Sequence, residues 1–200
     1  MKNKKQRKKR NSIIDHYRDS INYIKDSKNY ICAIVVLFFI FVLVGFILPS
    51  PPLLLDTILE FIRDILQQTQ NMSALELIWF IFSNNLKVSL LGLLLGVLFG
   101  AVPLALTITN GYLLGFVASI SVKTEGIVSL WRIFPHGIFE LPAIFISLGL
   151  GLRLGLFLFL DKKHSFRKIL LDVLKVFLLI VIPLLILAAI IEGSLIFFSG

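Results

Sequence analysis

Tyr30-Ile31-Cys32-Ala33-Ile34-Val35-Val36-Leu37-Phe38-Phe39-Ile40-Phe41-Val42-Leu43-Val44-Gly45-Phe46-Ile47-Leu48 runs for 19 residues without a charge. At ~1.5 Å per helical residue it covers ~28 Å, about one hydrocarbon thickness. Pro49-Ser50-Pro51-Pro52 ends it. The apolar core exceeds that of a signal peptide and no A-x-A-like cleavage site follows, so a retained anchor is expected. Lys2, Lys4, Lys5, Arg7, Lys8, Lys9 and Arg10 precede it, which predicts a cytoplasmic N-terminus.

The rest of the chain has the same character. Of 200 residues 57% are hydrophobic and 16% charged, with a mean hydropathy of +0.91. A soluble domain carries more charge and less apolar surface, so the excess has lipid as its solvent. The net charge of +8 is concentrated in residues 1–29, where ten Lys/Arg oppose three Asp. A basic arm directly before an apolar span reflects positive-inside orientation and attraction to anionic lipid, which excludes nucleic acid as the expected partner. The single cysteine, Cys32, rules out an internal disulfide and a cysteine-rich metal site.

Residues 53–68 differ from the spans. Leu54, Leu55, Ile58, Leu59, Phe61, Ile62, Ile65 and Leu66 recur at helical spacing, with Asp56, Glu60, Arg63, Asp64 and Gln67 on the other face. This amphipathic helix is expected to lie on the outer rim or to dock against the bundle or a partner. From Ala74 the chain turns apolar, pauses at Asn84-Asn85 and continues over residues 86–109 as a second span. Gly92, Gly96 and Gly100 stand at four-residue intervals there, the small-residue spacing that brings helices close in lipid. Pro103 should kink this span. Asn110-Gly111 reads as a cytoplasmic turn. A short third piece, 111–122, carries its own Gly111/Gly115 pair and either borrows residues 107–110 or is re-entrant.

After the polar turn Lys123-Thr124-Glu125-Gly126, residues 142–160 form a fourth span, with Pro142 suited to its first turn. Residues 161–168 carry a net +3 and should stay in the cytoplasm; 169–191 lead out again. The fold expected is all-α, a polytopic helical membrane protein with about five transmembrane helices, some short or broken by Pro and Gly. Its parts are a basic cytoplasmic arm (1–29), an anchor (30–48), an outer amphipathic helix and linker (49–73), a helical membrane core (74–192) and a short outer tail (193–200). The site expected is the cell membrane, with the C-terminus outside.

Several polar residues gather at one depth under this topology: Asn84, Asn85 and Lys87 on the second span, Arg132, His136 and Glu140 before the fourth, and Glu192 at the end of the fifth. Ionisable groups near hydrocarbon need partners, so a contact from Glu140 to Arg132 or His136 is expected. The cluster either joins broken helices around the prolines or forms a proton or ion site with Glu140 as carrier. One His plus one Glu is half a zinc site, and no H-E-x-x-H, G-x-S-x-G or Walker motif occurs, so neither a metal, a cofactor nor an enzyme is expected. Asn110 and Arg153 lie toward the other side, and Arg153 either snorkels to the interface, the default expectation, or caps the Asn110 turn.

Asn84-Asn85, the glycine-rich span, Asn110-Gly111-x-x-x-Gly115 and Pro135-His136-Gly137-Ile138-Phe139-Glu140-Leu141-Pro142-Ala143 together resemble the stage II sporulation protein M family over residues 74–192. The P-H-G-x-x-E-x-P-A string carries most of that likeness. The resemblance implies an integral membrane scaffold that works with other membrane proteins. In the sporulating bacteria that named the family one of these is a peptidoglycan hydrolase, and the setting is engulfment and septal wall remodelling. The partners expected are therefore the lipid bilayer, other membrane proteins including envelope-remodelling factors, and a second copy of the chain. The alternative reading is a small transporter or channel subunit using Glu140 and His136.

Overall fold

The computed structural model describes residues 13–48, 52–160 and 165–199, without the side chains of 52–54, 131–139, 158–160 and 199. Nearly all of the described residues are helical, and none of them lies in a strand. Five segments are long and apolar enough to cross a bilayer: Lys28–Ile47, Ala74–Val97, Ala101–Glu125, Glu140–Phe157 and Phe166–Phe198. The chain is an all-α polytopic membrane protein.

α1 (Ile13–Asp26) is amphipathic and bends at Ser27 into α2 (Lys28–Ile47), the anchor. Residues 1–12 of the basic arm lie outside the described residues. α3 (Pro52–Thr69) is the amphipathic helix; it buries Ile58 and leaves Phe61 and Leu66 exposed. α4 (Ala74–Leu94) starts at a capping box. The Ser73 hydroxyl accepts from the Glu76 N–H, and the Glu76 carboxylate accepts from the Ser73 N–H at 2.8 Å, so two of the four free donors of the first turn are used.

The turn between the second and third spans is not at Asn110-Gly111. α4 tightens over Leu95–Val97, Phe99 and Gly100 take left-handed φ values of 54° and 75°, and α5 runs unbroken from Ala101 to Glu125. Two successive left-handed residues reverse the chain where no polar residue marks a turn. Pro103 therefore does not kink a span but sits in the first turn of α5, where a missing N–H is harmless. Asn110 looks like a turn residue, yet its amide donates to the Leu106 carbonyl of its own helix at 2.7 Å. The third span is thus full length, 25 residues, rather than re-entrant.

α6 (Leu130–Leu160) also corrects the reading. It begins twelve positions before Pro142, so that proline is interior rather than in a first turn. Lipid-spanning helices carry prolines inside when neighbouring helices and polar side chains serve the freed backbone groups, and α6 is enclosed by α2, α4, α5 and α8. α7 (Phe166–Val176), capped by Ser165, leads through a wide turn at Phe177–Val181 into α8 (Ile182–Ser199). Pro183 follows that turn, which absorbs the backbone bond the proline cannot make. Helix continues through residues 193–199 of the expected tail. Residues 161–164, with Lys162 and Lys163, lie outside the described residues.

Glycines fix how closely the spans approach. In the pairing of α2 with α5, a Cβ on Gly111 would meet the Phe38 carbonyl oxygen at 2.6 Å, and one on Gly115 would overlap the Val42 carbonyl. The register advances together on both helices, so α2 and α5 run parallel. The lower half of α6 packs on α4 in the same manner, Gly96 against Gly151 and Gly155 against Gly96 and Gly100. Hydrophobic burial cannot drive this contact in lipid; close dispersion contact between backbones does. α6 is the hub, with Ile144, Phe145, Leu148 and Leu152 toward α2 and α5, and Leu150 and Leu154 in a second cluster with Leu93, Val173, Val181 and Leu185.

Candidate functional site

α4 and α6 meet along a seam that changes character with depth. On α4 one face carries Asn85, Ser89, Gly92 and Gly96, at steps of four, three and four residues; α6 answers with Glu140, Ser147, Gly151 and Gly155. Steps of three and four keep side chains on one face of a helix, so both lines are straight. The seam begins polar, narrows through two serines and ends in glycines.

At its polar end three helices converge. The Glu140 carboxyl on α6 hydrogen-bonds to the Glu192 carboxyl on α8 and to the Asn85 side chain on α4. Asn85 contributes an amide donor to the group. Asn85 is only 7% exposed, whereas Asn84 and Lys87 point away from the bundle. Adjacent residues on a helix stand about 100° apart, so Asn84 and Asn85 do not share a direction. Glu140 and Glu192 are half-buried. The expected partners of Glu140, Arg132 and His136, have their side chains outside the described residues.

One and two turns further in, the Ser147 hydroxyl donates to the Ser89 carbonyl oxygen at 2.8 Å, with both residues fully buried. This bond crosses from α6 to α4 where the small side chains already bring the backbones close. Beyond it a Cβ on Gly92 would run into Leu148, and one on Gly96 into the Gly151 backbone. Gly111 and Gly115 belong to the separate α2 to α5 contact, and Asn110 takes part in neither.

Of the cluster expected from sequence, the structure brings together Asn85, Glu140 and Glu192. Ser89, Ser147, Gly151 and Gly155 were missed as seam residues, although the matching four-residue steps on 85–96 and 147–155 are visible once the two segments are aligned. Arg153 does more than snorkel. Its Nη1 donates to the Ser27 hydroxyl at 2.6 Å and its guanidinium lies 4.4 Å from the centre of the Tyr23 ring, while the Ser27 hydroxyl donates to the Tyr23 carbonyl at 2.7 Å. α6 is thereby tied to the junction of α1 and α2. Among the described residues no group of three or more His, Cys, Asp or Glu is placed to hold a metal ion.

An all-α membrane bundle with two glycine contacts and a carboxyl-containing seam is the class of protein that the fold and the site define. The chain belongs to the stage II sporulation protein M family, whose model matches residues 34–195. No curated protein and no solved structure matches the chain.

Proposed function

We propose that the chain is a non-catalytic scaffold or assembly subunit of a membrane protein complex, seated in the cell membrane with its N-terminus in the cytoplasm. The observation that carries this reading is how the polar seam is used. Glu140 bonds to Glu192 and Asn85, and Ser147 to the Ser89 carbonyl, each from helix to helix, and the way from them toward α1 is filled by Leu93, Leu148, Leu150, Leu154 and Leu185. A carrier of charge needs a watered path on both sides of its carboxylate; a packing device needs the reverse. Family membership supports a membrane component of the sporulation type, and envelope-remodelling factors are the partners it points to.

α3 is the element suited to such a partner. It buries little of its own apolar face, and a cavity of about 640 Å³ opens between its last turns, Met72, Leu77 and the end of α8 at Ile196 and Phe197. An exposed apolar face rimmed by acids and glutamines at the end of the spans fits the extramembrane part of another membrane protein.

The test is affinity purification of the full-length chain from native membranes in mild detergent, with mass spectrometry of what accompanies it. Stoichiometric membrane-protein partners are expected. Recovery of the chain alone, together with a proton or ion flux in reconstituted vesicles that Glu140→Gln abolishes, would favour a transporter.

A further inference from the structure

The end of the bundle opposite the carboxyl cluster holds a second polar constellation. α1 is two-sided: Asp15, Asp19 and Asp26 fall within about 40° of one another on the helix, at 100° per residue. Ile13, Ile14, Tyr17 and Ile21 lie on another side and stay exposed, Ile13 at 72% and Ile14 at 68%. Such a face beside the first membrane span has lipid as its solvent, so α1 lies along the bilayer boundary with its acids turned away from the hydrocarbon.

Between α1 and α7 opens a cavity of about 560 Å³, lined by those three aspartates on one wall and by Arg153, Lys168 and Lys175, with Asp172 beside them, on the other. The opposed charges do not pair. Among the described residues the ion pair at this cavity is Asp172 with Lys175 at 3.7 Å, both on α7, and none joins an α1 aspartate to Arg153, Lys168 or Lys175. Arg153 is already fixed by Ser27 and Tyr23, which presents its remaining N–H groups in a set direction. Ser20 lines the same cavity; it is 3% exposed and its hydroxyl has no hydrogen-bond partner. A buried hydroxyl left so is costly unless something else completes it.

We propose that this cavity binds the head group of a lipid carrying a primary ammonium and a phosphate, of the phosphatidylethanolamine type. The ammonium sits between Asp15 and Asp19, one turn or ~6 Å apart along α1, the phosphate faces Arg153, Lys168 and Lys175, and the Ser20 hydroxyl donates to a phosphate oxygen. A purely anionic head group would meet three carboxylates, and a bare cation three cations, so the opposed walls select a zwitterion. The volume falls within the ~300 to 1,000 Å³ usual for small-molecule sites. Asp26, two residues before the first membrane span, and Arg153, near the end of the fourth, both line the cavity and set it at head-group depth, which is why the source is a lipid rather than a soluble zwitterion.

Native mass spectrometry of the full-length chain in detergent tests this, with dioleoyl phosphatidylethanolamine, dioleoyl phosphatidylglycerol and soluble glycerophosphoethanolamine as probes. One ethanolamine lipid should be retained about tenfold better than the glycerol lipid, the effect of one or two charge-assisted hydrogen bonds. The double variant Asp15→Asn, Asp19→Asn should lose that preference with its unfolding temperature in lipid-free detergent unchanged. Should it fail to fold, Lys168→Gln, at an exposed position, decides: ethanolamine-lipid retention must fall. Equal retention of the two lipids by the wild type, or full retention by Lys168→Gln, overturns the proposal. Displacement by the soluble compound at equimolar concentration overturns the lipid assignment and leaves a site for a free zwitterion.

Discussion

Glu140 on α6 and Glu192 on α8 are bonded carboxyl to carboxyl within the helical bundle, with Asn85 of α4 as third member. Glutamine at 140 keeps the shape, an acceptor and a donor that can reach the Glu192 carboxylate. Alanine strands both neighbours. Unfolding measured in detergent should follow the order wild type, Glu140→Gln, Glu140→Ala, with ~1 kcal/mol lost at the first step and ~2 to 3 in total. Partner recovery from native membranes should fall in the same order. A Glu140→Gln protein as stable and as fully assembled as the wild type, yet inactive in the cell, would contradict the packing role.

Gly96 faces the Gly151 backbone with no room for a side chain. Gly96→Leu should separate α4 from α6 and cost more than the ~1 to 3 kcal/mol typical of overpacking, because backbone cannot rotate out of the way. The readout is the monodisperse fraction recovered from membranes. Leu94→Ile, at a half-exposed position on the same helix, should leave it unchanged. Equal recovery of Gly96→Leu and the wild type would remove the close-contact argument.

Arg153 holds the start of the chain. Arg153→Met keeps the length and loses the bond to Ser27 and the stacking on Tyr23, worth ~1.5 to 3 kcal/mol for a charged donor. Amide exchange should accelerate in α1 while α2 and α5, joined by their own glycines, keep their protection. Uniform acceleration across the bundle would place Arg153 in the global fold instead.

On α3, Phe61→Ser with Leu66→Ser should leave the unfolding temperature within experimental scatter, since both side chains are exposed, and should reduce partner recovery. Full recovery would move the partner surface elsewhere.

Orientation is checked by labelling. In a Cys32→Ser background, single cysteines replacing Lys5, Lys163 or Phe198 are treated with a membrane-impermeant thiol reagent in intact cells. Position 198 should react and positions 5 and 163 should not. The opposite pattern inverts the topology.

The class of fold was legible because hydropathy and charge decide it: lipid tolerates only internally bonded backbone, and residues 30–48 carry no charge. The span count was legible from the same source. Turn positions were not. Asn110-Gly111 has the composition of a turn and lies inside α5, where Asn110 bonds its own helix and Gly111 is kept for contact with α2. The true reversal uses Phe99, a residue that rarely takes positive φ, and only the tertiary contacts of Gly100 and Gly96 make it worth ~1 to 3 kcal/mol of local strain. At the site, depth and residue type grouped Asn85, Glu140 and Glu192 with Asn84, Lys87, Arg132 and His136, and composition offers no way to choose which carboxyl meets which neighbour. That choice depends on helix rotation, which the glycine contacts set from ten residues away.

The reversal at Phe99 and Gly100 also bears on how the protein is made. Residues 88–122 carry no charge at all. As one straight helix at ~1.5 Å per residue they would far exceed a hydrocarbon layer of ~30 Å. Insertion machinery that senses hydrophobicity meets no polar stop between α4 and α5, so neither can be left behind in water while the other enters. The two helices must cross as a hairpin in one event, and the glycine that turns the chain is the same one that then receives α6.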